Sequence, residues 1–141
     1  MKVRDVMTKD VAYVNPAASI VETAKLMQQH NVGSIPVCDQ SGVVGIITDR
    51  DIVVRTVANG KNPQQTPVTE IMTTGVATVS PDMDMHDVAQ KMSTSQIRRV
   101  PVVENNSLVG IVALGDIAVD AKYYTQVADT LENISNPSTP Q

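Results

Sequence analysis

Residues 3–53 and 68–118 of this 141-residue chain are two copies of one sequence. Aligned at a constant offset of 65 without a gap, they share sixteen identities in 51 positions, which marks an internal repeat. The identities fall at structural punctuation. "VRDVMT" (Val3–Thr8) faces "VTEIMT" (Val68–Thr73), Pro16 faces Pro81, Pro36-Val37 faces Pro101-Val102, and "VGI" recurs at 44–46 and 109–111. Both copies must therefore fold alike. A unit of about 60 residues buries too little surface to be comfortably stable alone. The copies are thus expected to pair about a pseudo-two-fold axis and to leave two related clefts.

Within the first copy, "VAYV" (Val11–Val14) reads as a short strand broken by Asn15-Pro16, because proline donates no amide and restricts its predecessor. Ser19-Ile20-Val21-Glu22 has the form of a capping box. It opens a helix with Ile20, Ala24 and Met27 on one face, stopped by Asn31 and Gly33. "SIPVC" and "VVGIIT", separated by Asp39-Gln40-Ser41-Gly42, read as a hairpin. A second helix is expected from Thr48 to about Ala58, with Gly60 ending it. The second copy repeats the order: "VATV", a helix from Asp84 with Met85, Ala89 and Met92 inward, "RRVPVV", a turn at Asn105-Asn106-Ser107, "LVGIVA", and a helix after Leu114. The fold class is accordingly α/β (α+β), two β-α-β-β-α repeats. Residues 1–60 form the first repeat, 61–67 a linker in which Thr66-Pro67 restarts a short helix, and 68–124 the second. Residues 125–141 are a helical extension and a frayed tail.

Composition narrows the function. The chain is 42% hydrophobic and carries a net charge of −4, without the basic face that duplex nucleic acid or an anionic membrane demands. Its apolar runs are far shorter than the roughly 20 residues that cross a bilayer, and its first residues do not read as a signal peptide. A cytoplasmic location follows as the expectation. The single cysteine, Cys38, reads as a buried thiol, His30 and His86 as solvated residues near helix ends, and the seven methionines as core filler. No metal spacing, nucleophile–base pair or phosphate loop is present, so neither a metal nor a catalytic residue is assigned and no enzyme is expected.

The repeated line "GIITDRDI" (Gly45–Ile52) becomes "GIVALGDI" (Gly110–Ile117), keeping Asp51 and Asp116 while Thr48 turns into Ala113 and Arg50 into Gly115. Two readings stand. Thr48-x-x-Asp51 at a strand-to-helix junction is a capping-box variant. The same geometry suits a nucleotide, with helix amides and a hydroxyl for phosphate and a carboxylate for two ribose hydroxyls. Asp116, kept beside an alanine that cannot cap, suggests a role of its own.

The duplicated unit, its "VMT" start, its "S-I-P-V" and "R-V-P-V" strands and its G-h-h-T-x-x-D-I line (h apolar) resemble the cystathionine beta-synthase (CBS) domain family. The form is the stand-alone tandem pair of bacteria and archaea, and the resemblance runs from Val3 to about Tyr124. It implies a compact module that binds adenosine-bearing ligands (AMP, ADP, ATP, or S-adenosylmethionine) with no obligatory cofactor. Such a module regulates another protein and, standing alone, dimerises. For the first cleft the resemblance implies Asp51 on the ribose, Thr48 near phosphate with Ile46 and Arg50 on the same line, Gly75, Val76, Ala77 and Ile97 around the base, and Arg98 and Arg99 toward phosphates. For the second it implies Asp116 and Ile111 with Val11, Ala12, Val32 and Gly33. Ala113 lacks the hydroxyl there, and Gly33-Ser34 stand where the other copy has Arg98-Arg99, so the second cleft is expected to be weaker. With tyrosines as the only aromatics, adenine would lie between aliphatic side chains and backbone. The apolar helices "DIVVRTVA" and "DIAVDAKYY" point to a homodimer. The competing reading is a ligand-free dimerisation module in which Thr48 and Asp51 only cap a helix.

Overall fold

A computed structural model describes residues 1–118 and 124–137. In chain order the elements are α1 (Ile20–His30), β1 (Ser34–Asp39), β2 (Gly42–Thr48), α2 (Asp49–Ile52), α3 (Met85–Ser95), β3 (Arg99–Glu104), β4 (Ser107–Ala113), α4 (Leu114–Ala118) and α5 (Tyr124–Ser135). Single 3-10 turns at Val3–Asp5 and Val68–Glu70 open the two copies, and α2 runs into a π-helical turn at Val53–Val57. Two two-stranded sheets result, β1–β2 and β3–β4. This is the mixed architecture expected from the repeat.

Local chemistry explains most boundaries. Ser19 Oγ accepts from Glu22 N–H at 3.1 Å and opens α1, although only the serine half of the anticipated box forms. Asn31 closes the helix in the left-handed conformation at φ 54°; Gly33 has no positive φ and takes no part in that cap. Asp84 and Gln96 (φ 54°) cap α3 in the same way. The inward face of α1 differs from the expected one. Ala24 is exposed and Thr23 is buried beside Ile20 and Met27, because the Thr23 hydroxyl donates to Ser19 O at 3.0 Å and enters the core satisfied. On α3, Met85, Ala89 and Met92 point inward as expected, joined by Val88.

The expected strands at 11–14 and 76–79 shrink to one bridging residue each. Val14 N–H donates to Pro36 O at 3.1 Å, and Val14 O accepts from Cys38 N–H at 2.9 Å, a parallel bridge. The next bonds of a parallel ladder would need amide protons on Pro36 and on Pro16, which have none. Val79 meets Pro101 and Val103 identically, at 3.1 and 2.8 Å, with Pro101 and Pro81 imposing the same stop. The prolines shared by both copies thus set the length of this ladder.

The chain forms two compact units that divide it differently from the repeats. The β1–β2 unit contains residues 12–76 and 105–108; the β3–β4 unit contains 1–11, 77–104 and 109–141. Each unit therefore receives the leading segment of the other repeat. In the β1–β2 unit, Ile46 and Thr73 exchange both backbone hydrogen bonds at 2.9 Å, and Val68 and Ile71 are buried with Ile35, Val37 and Ile47. In the β3–β4 unit, Thr8 and Ile111 do the same at 2.9 Å, and Val3 is buried with Val100, Val102 and Val112. Helix α5, which the first repeat lacks, lies on α3 with Thr130 Oγ1 donating to Ala89 O at 3.2 Å. Tyr123 and the last residues, 138–141, lie outside the described residues.

Candidate functional site

Strand β2 ends at Thr48, and the chain turns there into α2. Thr48 Oγ1 accepts from Asp51 N–H at 3.1 Å while Asp51 Oδ2 accepts from Thr48 N–H at 2.9 Å, a reciprocal box closed on both sides. Asp51 is only 9% exposed. The box uses one lone pair of the hydroxyl and one carboxylate oxygen. It leaves the Thr48 O–H as a donor and Asp51 Oδ1 as an acceptor. That second oxygen lies 3.8 Å from Arg55 Nε.

Of the residues assigned to the first cleft, the structure gathers Ile46, Thr48, Arg50, Asp51, Gly75 and Val76 in the β1–β2 unit. Ile46 is half-buried and held by Thr73; Gly75, with φ 68°, turns the chain two residues later, ahead of half-buried Val76. Arg50 is exposed. Ala12, Val32 and Gly33, assigned to the second cleft, belong to the same unit. Gly33 O accepts from Asp49 N–H at 3.0 Å, and a Cβ on Gly33 would stand 3.0 Å from Asp49 Oδ2, so this glycine lies against the start of α2.

The β3–β4 unit holds Ile111, Asp116 and Val11, together with Ala77, Ile97, Arg98 and Arg99. Both arginines are exposed, and Arg98 O accepts from Leu114 N–H at 2.8 Å, which puts its backbone at the start of α4. Asp116 Oδ2 accepts from Ala113 N–H at 2.8 Å. The carboxylate half of the box thus survives loss of the hydroxyl half, which gives Asp116 a structural reason to be there.

Sequence reading overlooked Arg55. Its Nη1 donates to Ile71 O at 3.0 Å, and its spacing from Asp51 (i, i+4, acid first) was the available signal. Elsewhere, half-buried Cys38 is a weak nucleophile at neutral pH, since burial first and adjacent Asp39 second push its thiol pKa up. Among the described residues no group of three His, Cys, Asp or Glu side chains is placed to hold a metal, and no helix is long and apolar enough to cross a membrane.

These two lines, each at a strand-to-helix junction in a repeated β-hairpin unit, define a paired-repeat module, and the chain belongs to the CBS domain family. The CBS domain profile matches it twice, at residues 3–56 and 68–119. The CBS domain-containing protein YhcV of Bacillus subtilis is 49% identical over 134 residues, 95% of each chain. Among solved structures, the conserved CBS domain protein TA0289 of Thermoplasma acidophilum aligns with a TM-score of 0.82 at 27% identity, over 96% of this chain and 77% of that one. The CBS domain pair of protein MJ0100, solved with 5'-methylthioadenosine and S-adenosyl-L-methionine, aligns with a TM-score of 0.74 at 36% identity, over 84% and 94%. CBS pairs are regulatory modules that often bind adenosine-bearing ligands, and proteins built from them are generally not catalytic.

Proposed function

We propose that this protein is a non-enzymatic regulatory module that binds an adenine nucleotide (AMP, ADP or ATP) at the Thr48–Asp51 line. S-adenosylmethionine is a second candidate of the same chemistry. The observation that carries this reading is the economy of the reciprocal box. It fixes both side chains through one valence each and leaves the Thr48 O–H as a donor and Asp51 Oδ1 as an acceptor, a match for phosphate and ribose hydroxyl. Gly75 and Val76, in the same unit, offer backbone and aliphatic surface to a base. The MJ0100 pair, 36% identical, supports the ligand class. Contributions from Ala77, Ile97, Arg98 and Arg99 are part of the proposal. Asp116, whose neighbour Ala113 has no donor, is the weaker line.

A thermal-shift panel tests it. Ligand at a hundred times its dissociation constant stabilises the native state by about 2.7 kcal/mol. AMP, ADP or ATP is expected to raise the Tm; Asp51→Ala and Asp51→Asn lose most of that shift, each measured against its own ligand-free Tm, and Asp116→Ala loses less. Equal loss at Asp51 and Asp116 contradicts the asymmetry. No shift with any adenosine-bearing ligand favours the second reading, a dimerisation module in which the box is a helix cap. One observation speaks for dimerisation in either case: Val53, Val54 and Val57, on the turn after α2, are 59%, 46% and 65% exposed. Light scattering should return the mass of a homodimer.

A further inference from the structure

We infer that Arg55 is the positioning residue of the Thr48–Asp51 line, one guanidinium that fixes both the free oxygen of Asp51 and the base of the segment ending at Gly75-Val76. The inference rests on the proposed binding of an adenosine-bearing ligand there. Arg55 Nε lies 3.8 Å from Asp51 Oδ1, the oxygen the reciprocal box leaves over. Its Nη1 donates to Ile71 O at 3.0 Å and lies 3.5 Å from Met72 O. These carbonyls follow the Val68–Glu70 turn, where a short helix leaves acceptors without partners. The next residues are the ones that matter for a ligand. Met72 packs on Gly45, whose added Cβ would stand 2.6 Å from its Sδ, and Thr73 pairs with Ile46. Gly75 and Val76 follow directly.

The π-helical turn sets this geometry. Its wider spacing carries the buried face from Asp51 to Thr56, five residues on, and leaves Arg55 at the rim with its side chain 48% exposed. A planar fork reaches a carboxylate and a carbonyl together, which an ammonium point charge does not. In the second repeat the residue at the register position of Arg55 is Asp120, not an arginine.

The test is calorimetric titration of wild type, Arg55→Met and Arg55→Lys with AMP and with 5'-methylthioadenosine, which has no phosphate. Hydrogen exchange at the Ile46 and Thr73 amides is followed in parallel. Acting through Asp51, Arg55 should matter equally for both ligands: Arg55→Met weakens each about tenfold or more, and Arg55→Lys recovers part of that by charge alone. Arg55→Met should also speed exchange at Ile46 and Thr73 while Cys38, bonded to Val14, keeps its protection. A loss confined to AMP would make Arg55 a direct phosphate contact and overturn the positioning role, as would binding unchanged in Arg55→Met. If wild type binds neither of these nor ADP, ATP or S-adenosylmethionine, the functional reading fails, and the exchange arm alone decides whether Arg55 holds the 72–76 segment; unchanged exchange there ends the inference.

Discussion

Thr23, Thr56, Thr66 and Thr130 are all buried, yet their hydroxyls fare differently. Thr23 and Thr66 donate to carbonyls four residues back, at 3.0 and 2.8 Å, and Thr130 to Ala89 O. The Thr56 hydroxyl, inside the π-helical turn, is enclosed without a partner among the described residues. Replacing it with the near-isosteric valine removes a desolvated, unmatched dipole, so Thr56→Val should raise the unfolding free energy by about 1 kcal/mol in urea titration. At this scale the sequence was informative where a residue type has one dominant use. Ser19, Asp84 and Asn31 cap where their chemistry says they should, and Thr48 with Asp51 close the box its spacing suggested. It failed where the side chain's bond to backbone follows no complete capping motif. Ala24 looked inward by periodicity, but Thr23 hides its hydroxyl in a bond that no hydropathy pattern records. Asp116 suggested a role of its own beside an alanine that cannot cap, yet that alanine's own amide is its partner.

Among elements, the motifs matched between copies turn out to be contacts. The "MT" that starts one repeat lies on the "VGI" strand of the other. A Cβ at Gly45 would come within 2.6 Å of Met72 Sδ and 3.0 Å of Thr73 O, and one at Gly110 within 2.8 Å of both Met7 Sδ and Thr8 O. Gly45→Ala and Gly110→Ala should therefore each cost about 1–3 kcal/mol by forcing the leading segment off its strand, and the two losses should be alike by thermal denaturation. A much larger cost at one than at the other would break the equivalence. Periodicity located the hairpins and the long helices, whose signals are local. It overcalled strands at 11–14 and 76–79, since whether an apolar run becomes a strand depends on the amides of the chain it meets, and here those are prolines.

At the level of the molecule, the duplication was plain in the sequence and the exchange of leading segments was not, because offset identity shows what is alike without showing what touches. The exchange makes a crossed prediction. Val3 is fully buried in the β3–β4 unit, and Val68 in the β1–β2 unit. Val3→Ala should cost about 2 kcal/mol and loosen α3, β3 and β4, whereas Val68→Ala should loosen α1, β1 and β2, as read by native-state hydrogen exchange. Loosening within the mutated repeat instead would refute it. The same trade forbids division. A gene cut between its halves would encode two orphans, each presenting a bare groove and a stray ribbon, and each able to complete itself only by embracing another molecule. Joining the halves end to end made permanent a mutual dependence that separate chains would have to renew at every encounter.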